Sequence, residues 1–367
     1  MRLLIAITAL FTAIAGAVLA RDAGIADACA GLIGSNGAVN LGRTTTLAGY
    51  HDGVEHYVTA FQFQGGGGQF GTLIPLPGVP TNVERGGAWT LQRLQLETQR
   101  FRALNADAAA GGLPASGATV LQQVRIDALD LTVLKGGGAD VAVWTKDHGF
   151  SLSPDAPEVL DFYAQRSPIF LAAVFDGEAA AERGQQIGDG TPVHLTIPLD
   201  NPWVPLRILG LGKQSQDRID ADVFLLTDSK PALLPAPADE LGNSPLTLGA
   251  PSAFALVHSQ AASQQLLDDL RGDDGMAWVP QSAWLTKLQI NSDVSGLRYD
   301  LAADTSGNNS PSLRAAGIGL PLSLPNTGAF APSDDDGVPS VIWPVAGALV
   351  LIAAFVLVRR RASGAGR

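Results

Sequence analysis

His51, Asp52, Glu55 and His56 fall within one hexapeptide, the densest grouping of metal-ligating residue types in the chain. Imidazole and carboxylate ligands suit zinc, and a zinc-bound water ionises near neutral pH and attacks carbonyl or phosphoryl centres. The spacing His-x-x-x-Glu-His is one residue longer than the inverted zinc-protease pattern. Asp52-Gly53 between two strand-like runs is a hairpin signal, so His51 and His56 flank a turn and need not converge. His51, Glu55 and His56 are the metal candidates, and a solvated hairpin tip is the competing reading. No cofactor is expected.

Other groupings offer less. The glycine runs 65–68 and 136–138 lack the Gly-Lys-Ser/Thr ending that cradles phosphate and read as loops. Asp268, Asp269, Asp273 and Asp274 bunch around Gly272 and Gly275, but no distal glutamate completes a calcium loop. No Gly-x-Ser-x-Gly elbow occurs, and no catalytic residue is assigned. Cys29 is the single cysteine, so no internal disulfide forms, and no base lies beside it in sequence to activate it. The scattered tryptophans 89, 144, 203, 278 and 284 read as core residues, with a sugar-binding face as the alternative. His148, His194 and His258 stand alone and read as structural.

The elements around these residues alternate strands with short helices. Strands are expected at 44–50 and 54–64 around the hairpin, then at 70–76. A helix follows over 88–101, where Trp89, Leu91, Leu94 and Leu96 share helical spacing. Residues 105–118 read as loop. The stretch 120–134 alternates like a strand, with a phase shift near Ala128-Leu129 of the kind a bulge produces. Helices are expected over 139–148 and 155–166, the second opened by Asp155-x-x-Glu158 as a capping box with Pro157 in its first turn. Strands recur at 169–175, 192–197, 204–209 and 223–226, and 233–249 reads as loop. Ser259 is a candidate cap for a helix through Leu270, and 284–290 is a final element. The fold class is α+β: a strand-rich mixed domain with a few short helices, plus one C-terminal transmembrane helix.

Composition fits a folded, exported body. Hydrophobic residues make up 46% of 367, enough for one large core or two moderate ones, while charged residues are only 16%. The net charge is −11; with the first 28 residues balanced and four arginines in the tail, the part between carries −15. Such a body is a poor partner for nucleic acid and for anionic lipid headgroups.

The two ends carry the sharpest signals. Arg2 followed by an uncharged apolar run to Ala20, with small residues beyond, reads as a secretory signal over 1–28. Cleavage fits after Ala20 or after Ala28. The second leaves Cys29 first and raises lipidation, although the usual large apolar residue three positions earlier is missing. An uncleaved N-terminal anchor is the alternative.

At the other end, residues 338–358 hold no ionisable side chain. At about 1.5 Å per residue they reach roughly 31 Å, the thickness of a hydrocarbon core. Asp334, Asp335 and Asp336 precede them, and Arg359, Arg360 and Arg361 follow at once. Arginines stay on the cytoplasmic side, so the body is expected outside and 359–367 inside. Before the span, Leu324, Pro325, Asn326, Thr327 and Gly328 resemble the Leu-Pro-x-Thr-Gly signal of sortases. A sortase cysteine would attack the Thr327 carbonyl, Gly328 would leave, and an amine of peptidoglycan would resolve the acyl-enzyme. Residues 304–337 read as a Gly/Pro/Ser/Asp-rich stalk presenting that signal.

The body itself resembles the domain of unknown function family 2330. The resemblance rests on Ala128-Leu-Asp-Leu-Thr-Val-Leu-Lys135, Trp144-Thr-Lys-Asp-His-Gly-Phe150, Pro157-Glu-Val-Leu-Asp-Phe-Tyr163 and Phe170-Leu-Ala-Ala-Val174, in that order. Ile74-Pro-Leu-Pro-Gly78, Pro202-Trp-Val-Pro-Leu-Arg207 and Trp284-Leu-Thr-Lys-Leu288 resemble its further landmarks. Coverage is about residues 29–303. The resemblance implies exported, often membrane-anchored bacterial proteins, many from actinobacteria, and carries over no catalytic residue. The expected function is therefore a cell-surface protein, single-pass anchored or joined to the wall, that is a binding or structural component of the envelope and meets an envelope or extracellular partner. The alternative is an extracytoplasmic metal-dependent hydrolase using the His51/His56 region.

Overall fold

A computed structural model describes residues 26–27, 31–34, 43–62, 70–98, 118–185, 190–237 and 253–319. The strands are β1 (Ala26–Asp27), β2 (Gly31–Gly34), β3 (Arg43–His51), β4 (Val54–Gln62), β5 (Phe70–Leu76), β6 (Asn82–Arg85), β7 (Thr119–Ile126) and β8 (Leu129–Lys135). They continue as β9 (Ile169–Phe175), β10 (Gly190–Pro198), β11 (Trp203–Val204), β12 (Arg218–Thr227), β13 (Ala232–Leu234), β14 (Phe254–Ala261), β15 (Trp284–Asp293) and β16 (Leu301–Asp304). Among the described residues five short helices join them: α1 (Thr90–Thr98), α2 (Gly138–Asp147), α3 (Ala156–Ala164), α4 (Gly177–Glu182) and α5 (Gln264–Arg271).

Two sheets stack face to face with helices outside each. The larger sheet runs β14-β15-β12-β3-β4-β10-β6, antiparallel except where β12 lies parallel to β3, and β1 joins the start of β3. The smaller runs β2-β5-β9-β8-β7 and is antiparallel throughout. Strand alternation explains the layering, because successive side chains point to opposite faces. In β9, Ile169, Leu171, Ala173 and Phe175 enter the core between the sheets. Phe170, Ala172 and Val174 face the other way, where Trp144 of α2 and Leu160, Phe162 and Tyr163 of α3 cover them. All seven β9 residues are buried, as expected of a strand covered on both faces. In β12, Val223 and Leu225 point to the inter-sheet core, while Phe224 and Leu226 meet Leu91 and Leu94 of α1 and Leu266, Leu267 and Leu270 of α5. The result is helix, sheet, sheet, helix. A small third sheet, β11-β16-β13, contributes to both the inter-sheet core and the α2/α3 core.

Buried carboxylates hold connections at fixed points. Asp300 is fully buried and accepts from Tyr163 Oη (2.9 Å), Leu206 N (2.7 Å) and Arg207 N (2.9 Å), and it pairs with Arg166. Asp273 accepts from Ala88 N (3.1 Å), Trp89 N (3.0 Å) and Thr90 Oγ1 (2.8 Å), which caps α1 from the loop after α5. Asp222 and Lys287 form a buried pair at 3.3 Å, bridged by Gln95.

The expected strand-rich α+β class stands, with several local differences. Residues 120–134 form a hairpin, β7 and β8, rather than one bulged strand: Asp127, at φ +54°, makes the turn, and the bulge lies between Val120 and Gln122. Asp155 makes no side-chain cap on α3; it accepts from Gly212 N, while Glu158 pairs with Arg207. After β11 the chain turns into a short 3-10 segment, Arg207–Gly210, instead of extending to 209. The cap of α5 is Ser263, which accepts from Leu266 N at 3.2 Å, and Ser259 lies in β14. Within the range expected as stalk, Ala315 and Ala316 are buried in the α2/α3 core and Asp300 N donates to Ala316 O, so residues 304–319 belong to the folded body. Among the described residues no helix is long and apolar enough to cross a membrane; the expected span 338–358 lies outside them.

Candidate functional site

The Asp52-Gly53 hairpin forms as expected, with φ +50° at Asp52 and +76° at Gly53, the two positive values a tight two-residue turn needs. Register pairs His51 with Val54, Tyr50 with Glu55 and Gly49 with His56. Alternation then places Gly49, His51 and His56 on the helix-covered face of the large sheet, and Glu55 on the opposite face between the sheets. The three sequence candidates therefore do not converge.

His51 acquires partners from elsewhere. Its Nδ1 lies 2.7 Å from Asp228 Oδ1, just past the end of β12, and its Nε2 lies 3.5 Å from Asp52 Oδ2. One ligand atom from each of the three residues lies within 4.8 Å of the others. His51 and Asp228 border an open cleft of ≈ 550 Å³ lined also by Arg271, Ala277, Val279 and Gln281 among others. Arg271 braces the far wall by donating to Pro280 O at 2.7 Å. With Asp228 accepting from Nδ1–H, the His51 Nε2 lone pair is presented beside Asp52, an arrangement that can hold a divalent metal or accept a proton.

A second grouping lies on the same face, one strand over. His56 of β4 and His194 of β10 meet at Nδ1···Nε2 2.9 Å, and His194 Nδ1 lies 3.1 Å from Glu84 Oε1 of β6. Register explains the contact: His194 sits opposite Val58 on one side and Glu84 on the other, so the three residues form a diagonal across three strands. Trp278, from the loop that also walls the cleft, stacks flat on His56 with centroids 4.0 Å apart and planes 1° apart. Glycine at 49 is required beneath it, because a Cβ there would come within 2.1 Å of the indole. Burial, then His194 and then His51, lowers the His56 pKa to about 3. Burial also lowers His194, opposed by Glu84. His56 is thus neutral across the physiological range, and burial favours the neutral ring of His194 as well. His194 reads in the sequence as isolated; its partner is 138 residues away, and only strand pairing reveals the contact.

Glu55 is fully buried in the inter-sheet core, and desolvation raises its pKa well above the usual carboxylate value; the backbone of Trp203 opposes the shift without cancelling it. Burial thus favours its neutral form. Asp268 bonds Arg271, Asp269 bonds Arg93 and Asp273 caps α1, so these acids of the 268–274 group serve the fold. Trp144 and Trp203 are core residues. Cys29, the Leu324–Gly328 signal and Arg359, Arg360 and Arg361 lie outside the described residues.

No curated protein matches the sequence. Among solved structures, baculovirus P35 is similar at 9% identity over 71% of this chain and 96% of that one, with a TM-score of 0.37. A mutated baculovirus P35 after caspase cleavage gives 8% identity over 71% and 99%, with a TM-score of 0.39. A family model described as an uncharacterised protein conserved in bacteria matches residues 25–300, three quarters of the chain and nearly all of the described body, and the chain belongs to that family, DUF2330.

Proposed function

We propose that the protein is a bacterial cell-surface component whose body is displayed outside the membrane by its C-terminal span, or joined to peptidoglycan after cleavage at Thr327, and serves there as a binding or structural element. The observation that carries this reading is the uncharged run 338–358 set between three aspartates and three arginines. Its length matches the hydrocarbon core, and the arginines fix which side the body occupies. Support for a non-catalytic body comes from its polar interior: Asp300, Asp273 and the Asp222–Lys287 pair are each committed to holding chain segments together. Protease added to intact cells should digest the body, and Thr327→Ala should move the protein from the wall fraction to detergent-soluble membrane. A body shielded until lysis sinks the surface assignment. Identical partitioning of both forms sinks the sortase step alone.

A second reading, a metal-dependent hydrolase, is favoured by His51, Asp52 and Asp228 at the cleft. A divalent ion would sit on His51 Nε2 and Asp52, with Asp228 orienting the ring, and would activate a water facing the cleft. At zinc one hundred times the dissociation constant, binding adds about 2.7 kcal/mol of stability, or roughly 5 °C in melting temperature for a chain of this size. His51→Ala should abolish that shift. A flat melting curve with zinc removes this reading.

A further inference from the structure

The His56–His194–Glu84 diagonal serves neither of those readings. We propose that His56 and His194 form a two-coordinate site for a soft monovalent cation of the Cu(I) or Ag(I) class, enclosed beneath Trp278. Two imidazole nitrogens face each other at 2.9 Å from adjacent strands, on side chains only 9% and 2% exposed. Behind His194, Glu84 accepts from Nδ1–H and fixes the tautomer that presents the Nε2 lone pair inward, the carboxylate–histidine support found behind metal-ligating imidazoles.

Ligand number selects the ion. Among the described residues, the convergence of three or more ligating side chains is found at His51, Asp52 and Asp228 and not here. Zinc fills a tetrahedron and calcium or magnesium takes six or more oxygens, so two neutral nitrogens leave all three underligated. A closed-shell monovalent ion of the copper group is satisfied by two nitrogens in line, and imidazole suits copper. Enclosure acts in the same direction. Trp278 covers His56 with its ring flat on the imidazole, which penalises a strongly hydrated divalent ion more than a weakly hydrated soft one.

Binding needs a tautomer change and a small opening. Without metal, the His56 Nδ1–H donates to His194 Nε2. With metal, that proton moves to His56 Nε2 and both inward nitrogens coordinate, so no proton is released. Two metal–nitrogen bonds of roughly 2 Å each span about 4 Å, so the rings must separate by about 1 Å. Glu84, whose side chain is 42% exposed, offsets the added charge from behind His194.

The test is a titration of the full chain carrying Cys29→Ser, which removes the competing thiol, in detergent, with ¹⁵N-labelled histidine and Ag(I) as a redox-inert probe. Only five histidines are present, so each signal can be followed. The expected result is one ion bound with a dissociation constant below about 1 µM, without proton release. The His56 and His194 ring signals should move while those of His51, His148 and His258 stay. This readout needs no change at the pair itself, so it survives if His194→Ala does not fold. Where it does fold, affinity should fall at least about a hundredfold, and His51→Ala should leave it unchanged. Binding weaker than about 100 µM, movement of other histidines instead, or affinity retained in folded His194→Ala overturns the proposal. Loss of the zinc effect at His51 bears only on the hydrolase reading.

Discussion

Asp300→Ala removes a fully buried acid with four partners, and the structure allows its cost to be worked out. Arg166 is 2% exposed, pairs with this carboxylate, lies 4.4 Å over the Phe162 and Trp203 rings, and donates to Ala315 O at 2.6 Å. Leaving a buried guanidinium without its counter-ion costs about 3–5 kcal/mol. Tyr163 Oη and the amides of Leu206 and Arg207 lose their acceptor as well, each worth about 1 kcal/mol or more, though losses within one network do not add fully. A net loss of about 5 kcal/mol follows, or roughly 10 °C in melting temperature for a chain this long. The assay is thermal unfolding followed by near-ultraviolet circular dichroism, at low and high salt. The exposed pair Arg218–Asp293, with side chains 59% and 49% exposed, is the control; Asp293→Ala should cost under about 1 kcal/mol and fade with salt. Arg166→Met combined with Asp300→Asn should recover part of the loss by removing both charges together. An Asp300→Ala shift no larger than that of Asp293→Ala, or a double variant costing the full sum of the singles, would refute the picture of a charge pair clamping β11, α3 and the 312–319 segment.

Glu55→Gln tests the buried acid. Its folded pKa is raised, so the folded chain binds the proton more tightly than the unfolded chain, and stability is fully present below the unfolded value near 4.5 and is lost as pH rises toward the folded value. The amide should therefore stabilise the protein by on the order of 1 kcal/mol at neutral pH and flatten that decline, as read by urea unfolding at pH 4 to 8; a parallel pair of pH curves contradicts it. Gly49→Ala drives a methyl into Trp278 and should cost about 1–3 kcal/mol, with a change in indole fluorescence that Asp293→Ala does not produce. An unchanged spectrum would mean that the ring is not seated on Gly49.

What was legible in the sequence is what rests on local chemistry. Asp52-Gly53 marks the turn, helical spacing locates α1, and an unbroken apolar run marks β9 to the residue, Ile169–Phe175. The phase shift at Ala128-Leu129 marks a turn, not a bulge: both break alternation, and they differ only in whether the following residues fold back to pair, which β8 does with β7. Ser259 is not the cap because β15 pairs with 254–261 and holds it in β14, a long-range pairing with no local signal, and the helix is capped four residues later by Ser263. The 312–319 tail, buried at Ala315, Ala316 and Gly317, reads as polar linker because two alanines and a glycine give no hydrophobic signal, yet small residues are what fit against Phe162: a Cβ at Gly317, itself at φ +75°, would come within 2.3 Å of that ring.

The candidate site failed to appear for a different reason. His51, Glu55 and His56 are neighbours along the chain, but a strand separates successive side chains by half a turn, so proximity in sequence sends Glu55 through the sheet to the far face. The partners that matter come from distant strands: Asp228 for His51, His194 and Glu84 for His56. The hexapeptide, bent into a hairpin, thus carries two half-sites on one face with Glu55 turned away from both, and each is completed by the strand that the parallel β12–β3 or antiparallel β4–β10 pairing brings alongside. The same logic makes the two groupings on the helix-covered face separable. One opens on a cleft with carboxylates around a single imidazole; the other is roofed by an indole and offers two imidazoles with no carboxylate between them. Hard divalent and soft monovalent ions should accordingly divide between them, and substitution at either histidine of the roofed pair should leave zinc binding at His51 untouched.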